Sequence, residues 1–372
     1  MSQNQVVSFD GALSINELRR VIPVYGPHIT MVIQSEPGCG KSSLLAAIAA
    51  DNGDAWRKPG DVCPTDKFDY VYVDCPVKDS MDVGAYIPDR DAKQLQFYAS
   101  ELFMTKSPKP KYIMLDEMMK SSKMLQVIWT RLALERMAGD VPLPDGSVVF
   151  ATSNNETDGV GDGMLAHGGN RVMRVRMKKP NHTSWLAWAS EHGISPIIQT
   201  WVALNQRALA SYLDGGQEDN PYIFRPGSKA LSFVSPRSLA KSDIVVRNAD
   251  RFGPEVTKTA LAGVIGKAAA DSMVAFLQLE KEIIQTSEAI ANPDTAPIPE
   301  KPAAQVMMAL NAIQDLQTQD DLSAFMTYMK RMKSEEIRAL FFSQLMTVSR
   351  TAKLGRNNAE VCAWVEKNFD LI

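Results

Sequence analysis

The first half of the chain alternates short apolar runs with segments of helical periodicity. Thr30–Gln34, Tyr70–Asp74, Tyr112–Asp116 and Val148–Thr152 read as strands, and a final strand is expected at Arg171–Met177. Between them, Lys41–Ala50, Lys93–Phe103 and Lys123–Met137 read as helices. Strands that alternate with helices build a parallel α/β sheet.

Beyond Lys178-Lys179-Pro180 the pattern changes. From Asn181 to about Asp250 it is helical, interrupted by Asp214-Gly215-Gly216 and Arg225-Pro226-Gly227. A second, softer break falls near Gly253. Leu261–Leu279 is rich in small and apolar residues and is expected to be a buried helix. Asn292–Pro302 carries four prolines and reads as an extended connector. Met308–Leu316 and Leu322–Met346 return to amphipathic helix. The predicted organisation is therefore an α/β domain over 1–179, a helical segment over 180–252, and a helical C-terminal region over 253–372 with its connector near 292–302. Met326, Met329, Met332 and Met346 suit either a helical core or a peptide-binding face, and the core is the simpler reading.

Composition narrows this picture. At 372 residues the chain is long enough for two or three packed domains. It is 45% hydrophobic and 22% charged, with a net charge of −3, which argues against a strongly basic nucleic-acid surface. No apolar run is long enough to span a bilayer, and the first residues lack the pattern of a signal peptide. Cys39, Cys63, Cys75 and Cys362 have no CxxC or zinc spacing, nor do His28, His167, His182 and His192 fit a metal pattern. Free thiols in a reducing cytoplasm are expected.

The chemistry begins after the strand Thr30–Gln34. Ser35-Glu36-Pro37-Gly38-Cys39-Gly40-Lys41-Ser42 joins a strand to a helix, the context of a phosphate-binding P-loop. Backbone N–H groups of such a loop form a nest for phosphate oxygens, and the helix N-terminus adds a favourable dipole. Glu36, Pro37, Gly38, Cys39, Gly40, Lys41, Ser42 and Ser43 are the expected nucleotide contacts. Lys41 would reach the β- and γ-phosphates, and the Ser42 hydroxyl would ligate Mg²⁺. Ser43 is the neighbouring helix residue, not the metal ligand. The usual motif has glycine where this chain has Ser35.

Tyr112-Ile113-Met114-Leu115 ends in Asp116-Glu117, a Walker B pattern. Asp116 lies 116 − 41 = 75 residues after Lys41 with one apolar strand between, a spacing that suits a P-loop sheet. Asp116 would hold a magnesium-bound water, and Glu117 would orient and polarise an attacking water. Asn154, with Asn155 as second choice, follows the strand Val148–Thr152 and is placed to meet a terminal phosphate or that water. Thr157–Gly163 reads as a glycine-rich loop; it lacks the ligand spacing of a calcium loop.

Taken in order, these segments resemble the MoxR-like, dynein-related AAA+ ATPases. The resemblance covers about residues 20 to 250. It rests on Glu36–Ser42, Leu115-Asp116-Glu117, Trp129–Gly139 with Val141-Pro142-Leu143-Pro144-Asp145-Gly146, Ala151-Thr152-Ser153-Asn154, Gly169-Asn170-Arg171-Val172 and Val234-Ser235-Pro236-Arg237. It implies a P-loop AAA+ parallel sheet flanked by helices, followed by a helical lid. It implies that ATP and Mg²⁺ are the cofactors and that the subunits form a homo-oligomeric ring, a hexamer. Asn154 matches the sensor 1 asparagine, Arg171 the arginine finger and Arg237 the sensor 2 arginine. Asn170 and Val172 depart from the usual Asp-Arg-Phe-like sequence around the finger. Pro142–Gly146 resembles the pre-sensor hairpin and Pro76–Asp91 the insert after the second strand. Such proteins often work beside a von Willebrand factor A domain protein on a protein substrate.

Planar, permanently charged guanidinium groups suit the spread charge of phosphoryl transfer. Two other functions compete. A nucleic-acid motor or loader is disfavoured by the acidic balance and by the lack of an aromatic-plus-basic platform. A nucleotide-gated scaffold without turnover would not need Glu117, Asn154 and Arg171. No Asn-Lys-x-Asp motif points to guanine.

Overall fold

A computed structural model describes residues 11–56, 67–155 and 171–368. The chain divides into two compact units, Met1–Lys179 and Pro180–Ile372.

In chain order the first unit contains β1 (Ala12–Leu13), α1 (Ile15–Tyr25), β2 (Thr30–Ser35), α2 (Leu44–Asp51), β3 (Asp69–Asp74), β4 (Gly84–Asp89), β5 (Gln94–Ala99) and β6 (Lys111–Asp116). It continues with α3 (Lys123–Glu135), β7 (Met137–Ala138), β8 (Val141–Pro142), β9 (Val148–Asn154) and β10 (Val172–Met177). Six strands form one sheet in the order β1-β10-β2-β9-β6-β3, and every neighbouring pair is parallel. The fold class is thus the parallel α/β sheet, flanked by helices and followed by a helical region, that the apolar runs predict.

The pleat sends alternate side chains to opposite faces. Met31, Ile33, Tyr70, Tyr112, Met114 and Phe150 pack in one core with Leu18 and Ile22 of α1 and Leu44, Leu45 and Ile48 of α2. Val32, Val71, Val73, Ile113, Leu115, Val149 and Ala151 pack in the other with Trp129 and Leu132 of α3. Burial on both faces explains why these strands read as continuous apolar runs. The α1 helix and β1 were not anticipated. A capping box starts α1: Ser14 Oγ accepts from Glu17 N (3.3 Å), and Glu17 Oε2 accepts from Ser14 N (2.7 Å).

One expected helix is a strand. Instead of helix, Lys93–Phe103 contains β5, which pairs antiparallel with β4, and then a short 3₁₀ turn at Glu101–Phe103. The turn between the strands is fixed by Asp89, whose Oδ1 accepts from Asp91 N (3.0 Å) and Ala92 N (2.9 Å), with Lys93 left-handed at φ 52°. Gln94-Leu95-Gln96-Phe97-Tyr98 has the alternation and aromatic content of a strand. Most of β5 is exposed, so no continuous core face revealed that alternation.

Elsewhere the differences are small. Lys41–Ser43 form a 3₁₀ turn ahead of α2. The α3 helix stops at Glu135 because Arg136 is left-handed at φ 56°. The hairpin next to Pro142–Gly146 is β7–β8, slightly upstream of the resembling segment, and Leu143 N closes it by donating to Arg136 O (2.8 Å).

The second unit is helical: α4 (His182–Glu191), α5 (Pro196–Leu204), α6 (Pro236–Arg247), α7 (Ala249–Ile265), α8 (Lys267–Leu279), α9 (Thr286–Ala291) and α10 (Pro302–Asp315). Then follow α11 (Gln319–Lys330), α12 (Glu335–Thr347), α13 (Ser349–Arg356) and α14 (Ala359–Lys367). One hydrophobic core runs through it from Trp185 to Val361. Met326, Met329 and Met332 are buried in that core and Met346 packs against it, so the methionines fill the interior and offer no peptide-binding face. The chain kinks at Gly253 (φ 76°) and separates α7 from α8 at Gly266 (φ 86°), where an added Cβ would lie 2.8 Å from Ser232 O. The proline connector is pinned by side chains: Tyr328 OH donates to Pro297 O (2.7 Å), Arg331 to Pro293 O (2.9 Å) and Gln305 to Pro299 O (2.8 Å). Among the described residues no helix is long and apolar enough to cross a membrane.

Candidate functional site

Ser35, Tyr72, Asp116, Thr152 and Asn154 share the pleat parity of Ile33, Tyr70, Met114 and Phe150, whose side chains pack on the α1/α2 face. They stand at or near the C-terminal ends of their strands. The register sets Ser35 beside Asn154, and Asp74 beside Asp116. A set of polar side chains therefore converges at the mouth of α2, where open parallel sheets bind ligands.

The loop between β2 and α2 turns through two left-handed glycines, Gly38 (φ 78°) and Gly40 (φ 97°). Those conformations are costly for residues with a Cβ. Ser43 caps the turn, with Oγ donating to Gly40 O (2.7 Å). Lys41 is 5% exposed, and its ammonium donates to Ser35 O (3.0 Å), Ser35 Oγ (3.1 Å), Glu36 O (3.1 Å) and Asn154 Oδ1 (2.9 Å). Glu36 is also buried, with Lys179 Nζ 3.5 Å from its Oε2. Cys39 is 2% exposed, and burial, reinforced by the Glu36 charge, pushes its thiol up to about 11. It is a packed, protonated thiol, not a nucleophile.

The Asp116 carboxylate is held on both oxygens. Oδ2 accepts from Ser42 Oγ (2.9 Å) and from the Tyr72 hydroxyl (2.7 Å), and Oδ1 accepts from the Thr152 hydroxyl. Burial, and then the bond to Asp116, push the Tyr72 phenol well above its ordinary value. Burial, with Asp116 and Asp74 adding to it, raises the neighbouring Cys75 thiol. Glu117 is left-handed (φ 54°), its backbone N–H donates to Thr152 Oγ1 (3.2 Å), and its carboxylate pairs with Lys120 Nζ at 2.5 Å. One hydroxyl, that of Thr152, thus ties the Asp116 side chain to the Glu117 backbone.

The structure brings together Glu36, Gly38, Gly40, Lys41, Ser42, Asp116, Glu117 and Asn154. Asn155 is buried beside them. It does not bring Arg171 to this end of the sheet. Arg171 is exposed in the turn before β10, and Val172 pairs with Thr30 at the start of β2, whereas the loop follows Ser35 at its end. Five residues of strand, about 17 Å, separate the two ends. Arg237 lies in the second unit, exposed in the first turn of α6 after Pro236, with Ser235 as the N-cap. The glycine-rich segment Thr157–Gly163 and Gly169-Asn170 fall outside the described residues.

Three contacts were not foreseen: Tyr72, Thr152 and Lys120. The signal for Thr152 was its position two residues before Asn154 on the same strand face. Tyr72 stands two before Asp74 in the same way.

The donors present suit both ligands. A hydroxyl and a carboxylate are hard oxygen ligands of the kind Mg²⁺ takes. Two left-handed glycines ahead of a buried lysine leave backbone N–H groups to face an anion.

No protein-family profile matches the sequence, and no curated protein matches it significantly. Solved structures do resemble the fold. The RuvB Holliday junction branch migration motor of Thermotoga maritima is 11% identical at a TM-score of 0.32, covering 86% of this chain and 86% of that one. Cdc6p of Pyrobaculum aerophilum is 10% identical at a TM-score of 0.34, covering 95% and 93%. The Hsp104–ADP complex of S. cerevisiae is 16% identical at a TM-score of 0.34, covering 98% of this chain and 48% of that one.

Proposed function

We propose that the chain binds ATP with Mg²⁺ and hydrolyses it as a ring-forming AAA+ ATPase of the MoxR-like, dynein-related kind, remodelling a protein partner. The observation that carries the reading is two hydrogen-bonded sets, Ser42–Asp116–Thr152 and Lys41 with Ser35 and Asn154, gathered on one face at the ends of three adjacent parallel strands. Lys41 binds the terminal phosphates, aided by the backbone N–H groups of Gly38–Ser42. Ser42 and Asp116 hold the metal: the Ser42 proton is already directed to Asp116, which leaves its oxygen lone pair for a cation. Bound Mg²⁺ supplies positive charge against the phosphates. Glu117 orients and polarises water, and Asn154 fixes the lysine and the terminal phosphate end. Residues 180–252 act as the lid through Arg237, with 253–372 as a C-terminal region. Arg171 serves a neighbouring subunit, because its own site lies at the far end of the sheet.

The resemblance alone supports a hexameric ring with a von Willebrand factor A domain protein as partner. Glu117→Gln should keep ATP binding and cut turnover roughly 10²-fold or more. Turnover retained in that variant would remove Glu117 from the reaction. A wild type that barely turns over would favour a nucleotide-gated scaffold.

A further inference from the structure

We propose that Tyr72 is a positioning residue that holds the Asp116 carboxylate in the orientation in which it takes a divalent cation. The inference rests on the reading of Ser42 and Asp116 as the metal-binding pair.

A carboxylate turns easily about its terminal torsion, which is broad and roughly two-fold. Three hydroxyls fix it here, those of Ser42, Tyr72 and Thr152. Two of them have a second duty. Ser42 is the expected metal ligand, so its hydroxyl oxygen would be shared with a cation. Thr152 Oγ1 also accepts from Glu117 N (3.2 Å). The Tyr72 hydroxyl comes from outside the phosphate loop, from β3, which flanks β6 on the side opposite the β9 strand that carries Thr152.

The placement follows from the sheet. In register, Tyr72 sits beside Met114, two residues before Asp116 on the same face of the neighbouring strand. Only a long side chain reaches from there, and the phenol does so at 2.7 Å. Its ring packs against the α1/α2 core, which fixes the direction of the hydroxyl. Tyr72 ends on the same oxygen, Oδ2, that accepts from Ser42. A hydroxyl that shares this oxygen with the metal-side serine sets the plane of the carboxylate; with Thr152 on Oδ1, one of its roughly four lone-pair sites is left for a cation or its water.

Partners that orient metal ligands are worth about 10- to 100-fold in metal affinity. The test is Tyr72→Phe, which keeps the ring and removes the hydroxyl. Binding of a fluorescent ADP analogue is titrated in excess chelator and then against Mg²⁺, with the fold checked by circular dichroism. The expected result is a metal-free affinity within about twofold of the parent and a Mg²⁺ midpoint raised about 10-fold or more. An unchanged midpoint would overturn the proposal. So would an equal loss with and without metal, which would make Tyr72 a packing residue. Asp116→Asn in the same assay separates the two levels: it should abolish the Mg²⁺-dependent gain. If it leaves that gain intact, or if the parent shows none, the metal-pair reading itself falls and the Tyr72 proposal with it.

Discussion

Lys41 shows how side chains and backbone of the protein itself hold the site. A buried ammonium is costly unless its donors are satisfied. Here carbonyl and hydroxyl oxygens of Ser35 and Glu36, together with the Asn154 amide, receive them. The partners are mostly neutral, so a polyanion can compete for the same ammonium through stronger, charge-assisted bonds. Lys41→Ala should therefore lose tight ATP binding, roughly 100-fold from a charge-assisted bond of about 3 kcal/mol. Calorimetric titration of the folded variant checks this, and an unchanged affinity would remove the phosphate-loop assignment. Cys39 stands in the same loop as a contrast. It is equally buried, but its thiol, raised by burial, packs against the core.

At the scale of elements, the two small hairpins are fastened together. The Phe97 ring of β5 lies against Gly139 in the turn of β7–β8, where an added Cβ would meet the ring at 2.0 Å. Gly139 is also left-handed at φ 61°. Beside it, the Tyr86 hydroxyl of β4 donates to Asp140 Oδ2 (2.5 Å), and Arg131 of α3 donates to Asp140 Oδ1 (2.9 Å). Gly139→Ala should push β4–β5 away, at a local cost of about 1–3 kcal/mol. Amide exchange should quicken at 84–99 and stay unchanged in β2, β6 and β9. Uniform acceleration across the sheet would show that the hairpins are part of the global fold.

That contrast also explains what could be read beforehand. The central strands announced themselves because both faces are buried: Tyr112–Asp116 has no polar residue until its functional end. Lys93–Phe103 carries the expectation of a helix and forms a strand instead, because β5 is largely exposed and its alternation serves a neighbouring hairpin, not a core. At the site, Lys41, Ser42 and Asp116 were legible from local motif chemistry. Thr152 and Tyr72 were not, because their contacts with Asp116 depend on strand order and pleat parity, which only the assembled sheet fixes.

For the whole molecule, the separation of Arg171 from the phosphate loop is the consequential distance. Under the proposed role an arginine supplied in trans contributes about 10³-fold to turnover. Specific activity should then rise with protein concentration until assembly is complete. Arg171→Ala should bind ATP and lack that activity. Mixed with Lys41→Ala, it should recover part of it, since one protomer keeps a sound loop and the other a sound arginine. No recovery in assemblies shown to be mixed would assign Arg171 a structural role. That proposed role also implies an arithmetic of completeness. A subunit that receives at one end of its sheet and gives at the other joins its neighbours head to tail, and such contacts close into a ring or run on as an open row. In an open row the terminal loop always waits for an arginine that never comes, so a pair holds one finished site and a longer row one fewer than its members. Closure alone gives every subunit a finished site, and so the last subunit to join completes two interfaces where each earlier one completed one.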